Sequence, residues 1–292
     1  MTERALSFGA DGRLVGILTE PDVATPRVEG APAALLWNVG VNHHIGPHRS
    51  FVDLARSLAA AGITSLRFDL SGLGDSSVRR DAVPEAVRAT DDLNEAAAVL
   101  EKRTGIRTLL PVGFCSSIDS AHAFALKDPR VVGACFLEGY AYRTRGFYAH
   151  YPMRLLSRER WRRFAAERLP GIDREATDEG RGAIGGVEHE KAALREAIYV
   201  RDYPEPEKLR ADYEAMVARG VRMLFVYTGG DSSFNHVGQF DEMLGTSAIR
   251  ASGNVELEYY PDVDHTFFRV AHRERVITRI VSWAKTSFVG GA

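Results

Sequence analysis

The chain has 292 residues, 45% hydrophobic and 26% charged, with a formal net charge of −2 and two cysteines, Cys115 and Cys135. Near-neutral charge gives no global attraction to nucleic acid or to an anionic membrane surface. Two cysteines exclude a disulfide framework and suit a reducing, cytoplasmic setting. The length fits one large α/β domain with an insertion, or two small domains.

The opening MTERALSFGADGRLVGIL carries charges of both signs and no apolar h-region, so it is not read as a signal peptide. No apolar run approaches the ~20 residues that span a bilayer. RALSF and RLVGILTE flank GADG and predict a β-hairpin. AALLWNV, 33–39, is a continuous apolar run and predicts a buried strand. In HRSFVDLARSLAAAG, residues Phe51, Leu54, Ala55, Leu58 and Ala59 recur at helical spacing up to Gly62. TSLRFDL is the next strand, the Gly-rich SGLGDSS its following loop, and PEAVRATDDLNEAAAVLEKR a helix with Pro84 near its first turn.

The alternation continues. RTLLPVGF is a strand, SIDSAHAFALKD a helix and VVGACFLEG a strand; after an interruption come VRMLFVYTGG, FNHVGQFDEMLG, NVELEYYP and RVITRIVSWAKTSF. Strands alternating with helices imply an α/β fold, a mostly parallel sheet with helices on both faces. Ligands of such sheets bind outside the carboxyl ends of the strands. The chemistry is therefore sought in post-strand loops. The interruption, 142–220, breaks the rhythm and reads as a helical cap inserted between the core segments 1–141 and 221–292. Its first part is basic, with eight Arg and two Glu from Tyr142 to Arg168.

LLPVGFCSSIDSAHAFAL contains the strand-to-helix turn on which a nucleophile can be displayed. Such a turn needs small residues two before and two after the nucleophile. Cys115 has Gly113 and Ser117 there; Ser116 would have Phe114 and Ile118, which clash. Cysteine is as readily a small buried apolar residue, so Cys115 needs partners. PDVDHTFF places His265 after a strand and before the last helix, and VYTGGDSS places Asp231 in the preceding post-strand loop. The order nucleophile, acid, base is that of a triad on this kind of sheet. Asp231 is the preferred acid and Glu138, ending VVGACFLE, the second choice; Asp262 and Asp264 flank the base too closely to face its ring.

An oxyanion hole needs two N–H donors. Ser116 is one, and Val39 or Gly40 in NVGVNHHIGPHR the other. His43, His44 and His48 share that loop. Gly46-Pro47 interrupts any helix that would align His44 with His48, and no carboxylate cluster is evident in the sequence, so no metal is expected. His43 and His44 are read instead as lining the pocket mouth or contacting substrate. SGLGDSS lacks Gly-Lys-Ser/Thr and any G-x-G-x-x-G, so no nucleotide loop is assigned and no cofactor is expected.

Nearly the whole chain, the cap apart, resembles the α/β-hydrolase superfamily. RFDLSGLGDSS is similar to its Asp-x-x-Gly-x-Gly-x-Ser segment, GFCSS to its nucleophile elbow and PDVDHTFF to its catalytic-histidine segment. IGPHRSFVDLARSLAAAGITSLRFDLSGLGDS, GFCSSIDSA and LEGYAYRTRGFYAHY further resemble a bacterial subgroup, some of whose members are described as exosortase-system-associated. Two positions depart from the superfamily pattern: Cys115 stands where Ser is usual, as in dienelactone hydrolases and polyhydroxyalkanoate synthases, and Ser117 stands where the second glycine is usual.

The combined expectation is a Cys-His-Asp hydrolase of esters or thioesters working through an acyl-Cys intermediate. The alternatives are an acyltransferase or condensing enzyme on the same machinery, and a non-catalytic binding protein of the same fold. Arg143, Arg145, Arg154, Arg158, Arg160, Arg162 and Arg163 suit a small-molecule acyl substrate carried on coenzyme A or a carrier protein, or else a solvated helix face. Tyr140 and Tyr142, with Phe147, Tyr148, Tyr151 and Trp161, would roof an acyl pocket or pack the cap.

Overall fold

A computed structural model describes residues 1–81, 83–155, 203–230, 233–245 and 247–289. The N-terminal hairpin is β1 (Thr2–Phe8) and β2 (Leu14–Glu20), joined through a turn at Ala10–Gly12. β3 (Ala33–Trp37), β4 (Ser65–Phe68), β5 (Leu109–Phe114), β6 (Gly133–Leu137), β7 (Arg222–Thr228) and β8 (Val255–Tyr260) complete one eight-stranded sheet in the order β1-β2-β4-β3-β5-β6-β7-β8. β2 is antiparallel to both its neighbours, and all pairings from β4 to β8 are parallel.

The apolar runs are buried on both faces of the sheet. In β3, Ala33, Leu35 and Trp37 face one layer of core while Ala34 and Leu36 face the other. The first layer is closed by α2 (Glu85–Thr104), α3 (Ile118–Lys127) and α5 (Pro206–Ala218), through Leu93, Leu100, Phe124, Leu209 and Met216. The second is closed by α1 (Ser50–Ala60) and α8 (Val270–Phe288), which pack together through Phe51, Leu58, Ile280 and Trp283. A strand covered on both faces shows no alternation, which is why 33–37 reads as a continuous run.

Three boundaries differ from the sequence expectation. β3 stops at Trp37, because the Asn38 side chain leaves the ladder to bond Asn42 O and Asp69 Oδ1 and to accept from Leu70 N–H. The helix expected over 234–245 is α6 (Gly238–Leu244), since Asn235 N–H donates to Gln239 Oε1 and forms the turn before it. A short α7 (Ser247–Ala251) precedes β8. Of the expected cap, α4 (Arg145–Leu155) and α5 are helical as anticipated. Residues 156–202 lie outside the described residues, and with them Arg158, Arg160, Trp161, Arg162 and Arg163.

The β5–α3 junction sets the site. Gly113 leaves no room for a side chain: a Cβ there would lie 2.7 Å from Ala121 Cβ and 3.0 Å from Ile118 Cα. Gly113→Ala is expected to destabilise the protein by about 1–3 kcal/mol through overpacking, measured as a fall in the denaturant midpoint with an unchanged slope.

Candidate active site

Cys115 follows β5 with φ 53°, a left-handed backbone that non-glycine residues adopt only under constraint. Cys115–Ser117 form a single tight turn that leads straight into α3. The small residue expected two places after the nucleophile does more than avoid a clash. The Ser117 hydroxyl accepts from Phe114 N–H at 2.7 Å and donates to Phe114 O at 2.9 Å, so it ties the two sides of the turn together. The departure from glycine thus reinforces the elbow. The second cysteine is different in kind. Cys135 is fully buried in β6, and burial pushes its thiol well above the usual range.

His265 is in the loop after β8, half-buried, with its ring 5.8 Å from the Phe114 ring. It shares a hydrogen bond with Cys115. Its Nδ1 lies 3.6 Å from Glu138 Oε2, which leaves Nε2 for the sulfur. The contact with Cys115, and then the nearby Glu138 carboxylate, outweigh burial and raise the imidazole to about 10. Glu138 is 1% exposed and follows β6 at φ 58°. The second-choice carboxylate of the sequence is therefore the one described against His265, and Asp231 lies outside the described residues. Neither neighbour of the histidine is available. Asp264 accepts from Thr266 N–H and Phe268 N–H and shapes its own loop, and Asp262 pairs with Arg275 at 2.6 Å.

The loop after β3 carries the second donor expected from the sequence. Gly40 N–H already donates to Ser116 Oγ at 2.7 Å. The hydroxyl of the residue after Cys115 thus occupies the acceptor position on that donor. Val39 is buried, and its carbonyl accepts from Asn42 N–H.

His44 is 3% exposed; its N–H and its Nδ1 both bond Asp69, at 2.8 and 2.7 Å. It is therefore not at the pocket mouth. His43 is half-buried and lies 3.0 Å from Asp75 and 3.3 Å from Asp69. These four side chains are the described group able to hold a metal ion. His48 packs edge-on against Phe268. Tyr140 is buried against His122 and Tyr203, and its carbonyl accepts from Tyr227 OH. Tyr142 is half-buried, packs on Tyr203 and donates to Pro204 O.

Sheet order, the antiparallel second strand and a strained residue after the fifth strand decide the fold. The chain has the α/β-hydrolase fold. No protein-family model matches the sequence, and no curated protein does. Among solved structures it is similar to an esterase of Pyrococcus furiosus (13% identity, 98% of this chain and 90% of that one, TM-score 0.59). It is also similar to proline iminopeptidase of Mycobacterium smegmatis (13%, 98% of each chain, 0.56) and to the alpha/beta hydrolase GrgF of a Penicillium species (17%, 98% of each chain, 0.54). In α/β-hydrolase terms, Cys115 sits at the elbow after β5, Glu138 follows β6 and His265 follows β8. No helix among the described residues is long and apolar enough to cross a membrane.

Glu138→Gln keeps the shape of the site and removes the charge behind His265. The imidazole should fall toward its ordinary value, and alkylation of Cys115 by iodoacetamide at pH 7 should slow by about tenfold or more. The sign of the pH dependence follows from the raised histidine. The stability that its partners contribute is complete below about pH 6.5 and is lost as pH climbs through about 10. Wild type and Glu138→Gln should accordingly differ most in melting temperature near neutrality and converge above pH 10.

Proposed function

We propose that the protein is a hydrolase that cleaves esters or thioesters through Cys115, with His265 as the proton carrier and Glu138 as the acid that orients it. One observation carries the reading: a single imidazole set between a strained cysteine on one side and a buried carboxylate 3.6 Å away on the other. An imidazole raised to about 10 is protonated at neutral pH. It is a poor base for a serine hydroxyl, but it suits a thiolate, which is a strong nucleophile that needs no further base to attack. That supports cysteine as the functional residue of this slot.

In the first step the Cys115 thiolate adds to the acyl carbonyl. The developing oxyanion takes a hydrogen bond from Ser116 N–H. It takes a second from Gly40 N–H by displacing the Ser116 hydroxyl, since an anionic acceptor forms the stronger bond. Collapse breaks the bond to the leaving alcohol or thiol, and the Nε2 proton of His265 goes to that group. The neutral imidazole then takes a proton from water as it attacks the acyl-thioester, releasing the acid and restoring thiolate and imidazolium. Glu138 stabilises the imidazolium at both ends of the cycle. An amine, alcohol or thiol in place of water would make the same site an acyltransferase. Seven arginines in and beside the cap, Arg143 to Arg163, favour an acyl group on an anionic carrier such as coenzyme A.

Rapid-quench intact-mass measurement with short- and medium-chain acyl-coenzyme A and p-nitrophenyl esters tests this. Wild type should gain one acyl mass, and Cys115→Ala none. His265→Ala should acylate at least about a hundredfold more slowly, the scale of a lost acid–base group. Faster decay of the adduct with an added amine than in water alone would identify acyl transfer. No adduct and no turnover with any of these, with Cys115 no more reactive than a free thiol, would leave the binding-protein reading.

A further inference from the structure

We propose that His43, His44, Asp69 and Asp75 form a binding site for one divalent transition-metal ion of the zinc type, separate from Cys115, His265 and Glu138. Two post-strand loops supply the four groups, the histidines after β3 and the aspartates after β4. One ligand atom from each lies within 4.8 Å of the others. The individual separations include 2.7 Å from His44 Nδ1 to Asp69 Oδ2, 3.3 Å from His43 Nε2 to Asp69 Oδ2 and 3.0 Å from His43 Nε2 to Asp75 Oδ2. Ligands at zinc distances on a tetrahedron stand about 3.4 Å apart, within the observed spread.

Protons alone match this arrangement poorly. His43 Nε2 carries at most one hydrogen, and oxygens of two different carboxylates lie within 3.3 Å of it. With neutral imidazoles the group carries two negative charges. Among the described residues neither aspartate forms an ion pair with a lysine or arginine; their partners are the two histidines. The two imidazole rings stand with centres 3.8 Å apart, close enough to share one ion. A divalent ion neutralises both carboxylates and accepts all four donors at once. Imidazole and carboxylate together suit zinc, cobalt or nickel better than calcium or magnesium, which prefer all-oxygen sets.

The surroundings are those of a supported site. Asp69 is fully buried, and its other oxygen, Oδ1, is held by Asn38 Nδ2 at 2.6 Å and His44 N–H at 2.8 Å. Ligating carboxylates are oriented by such outer bonds. Gly74, at φ 50°, lets the loop wrap this carboxylate, and a Cβ there would lie 2.2 Å from Asp69 Oδ2. Asp75 is open to solvent and provides the entry side. The sequence concealed the site because the aspartates follow a different strand from the histidines.

The full chain, stripped with a chelator, would be dialysed against Zn²⁺ and separately titrated with Co²⁺. Wild type should hold one ion per chain, and the Co²⁺ form should show the intense visible absorption of a four-coordinate site. Asp75→Asn and His43→Gln lie at the exposed end, so their fold should survive, checked by an unchanged melting temperature in chelator. Each should weaken binding by at least about tenfold, and added Zn²⁺ should raise the melting temperature of wild type but of neither variant. Binding to wild type no tighter than to either variant, or one ion bound equally by wild type and both variants, would overturn the proposal.

Discussion

Everything at the carboxyl edge of this sheet depends on one backbone constraint: Cys115 held at positive φ at the end of a fully buried strand. That conformation costs of the order of 1–3 kcal/mol and persists only where its surroundings over-determine it. Gly113 brings the strand against α3, Ala121 accepts that approach, and the Ser117 hydroxyl bridges the turn. The turn lifts the sulfur out of the core while its own strand stays buried. Cys135, one strand away in ordinary β conformation, has the same chemistry and none of this display.

The electrostatics build on that display. A carboxylate as buried as Glu138 is expensive unless a charge answers it. The imidazolium of His265 is that charge, and Cys115 on its far side is the larger reason for it to stay protonated, ahead of Glu138 itself. Three strand ends meet in one line of groups, Cys115, His265 and Glu138, and the outer two favour the charged form of the imidazole between them. On the proposed reading, this arrangement suits a thiol better than a hydroxyl, because a free thiol ionises at a far lower pH than an alcohol. Ser116 adds a polar group that satisfies Gly40 N–H.

A second hub holds the loops. Burial opposes the Asp69 charge, but bonds from His44, the Asp75 N–H and Asn38 outweigh it, and the carboxyl lies below the ordinary aspartate range. Through it the β3 loop, which carries Gly40, is fixed to the β4 loop. His48 against Phe268 links the same loop to the segment after His265. Gly40 and His265 thus sit on loops tied to each other and to the sheet.

The sequence by itself determined the alternation of strands and helices, the elbow and the histidine slot, because each is written in local pattern: apolar runs, small residues at fixed offsets, polar residues after strands. Phe51, Leu54 and Leu58 on one face of α1 are as legible as Gly113 two before Cys115. What only the tertiary structure decided are the pairings across strands. Glu138 faces His265 from another strand end, and its left-handed backbone leaves no mark in the sequence beyond a carboxylate closing an apolar run. The Asp69 and Asp75 carboxylates meet His43 and His44 only because β4 and β3 are parallel neighbours. The Ser116 hydroxyl on Gly40 likewise joins residues from two loops. Local sequence fixes which groups a strand delivers to its edge; strand order, set by burial of the whole sheet, fixes which of them meet.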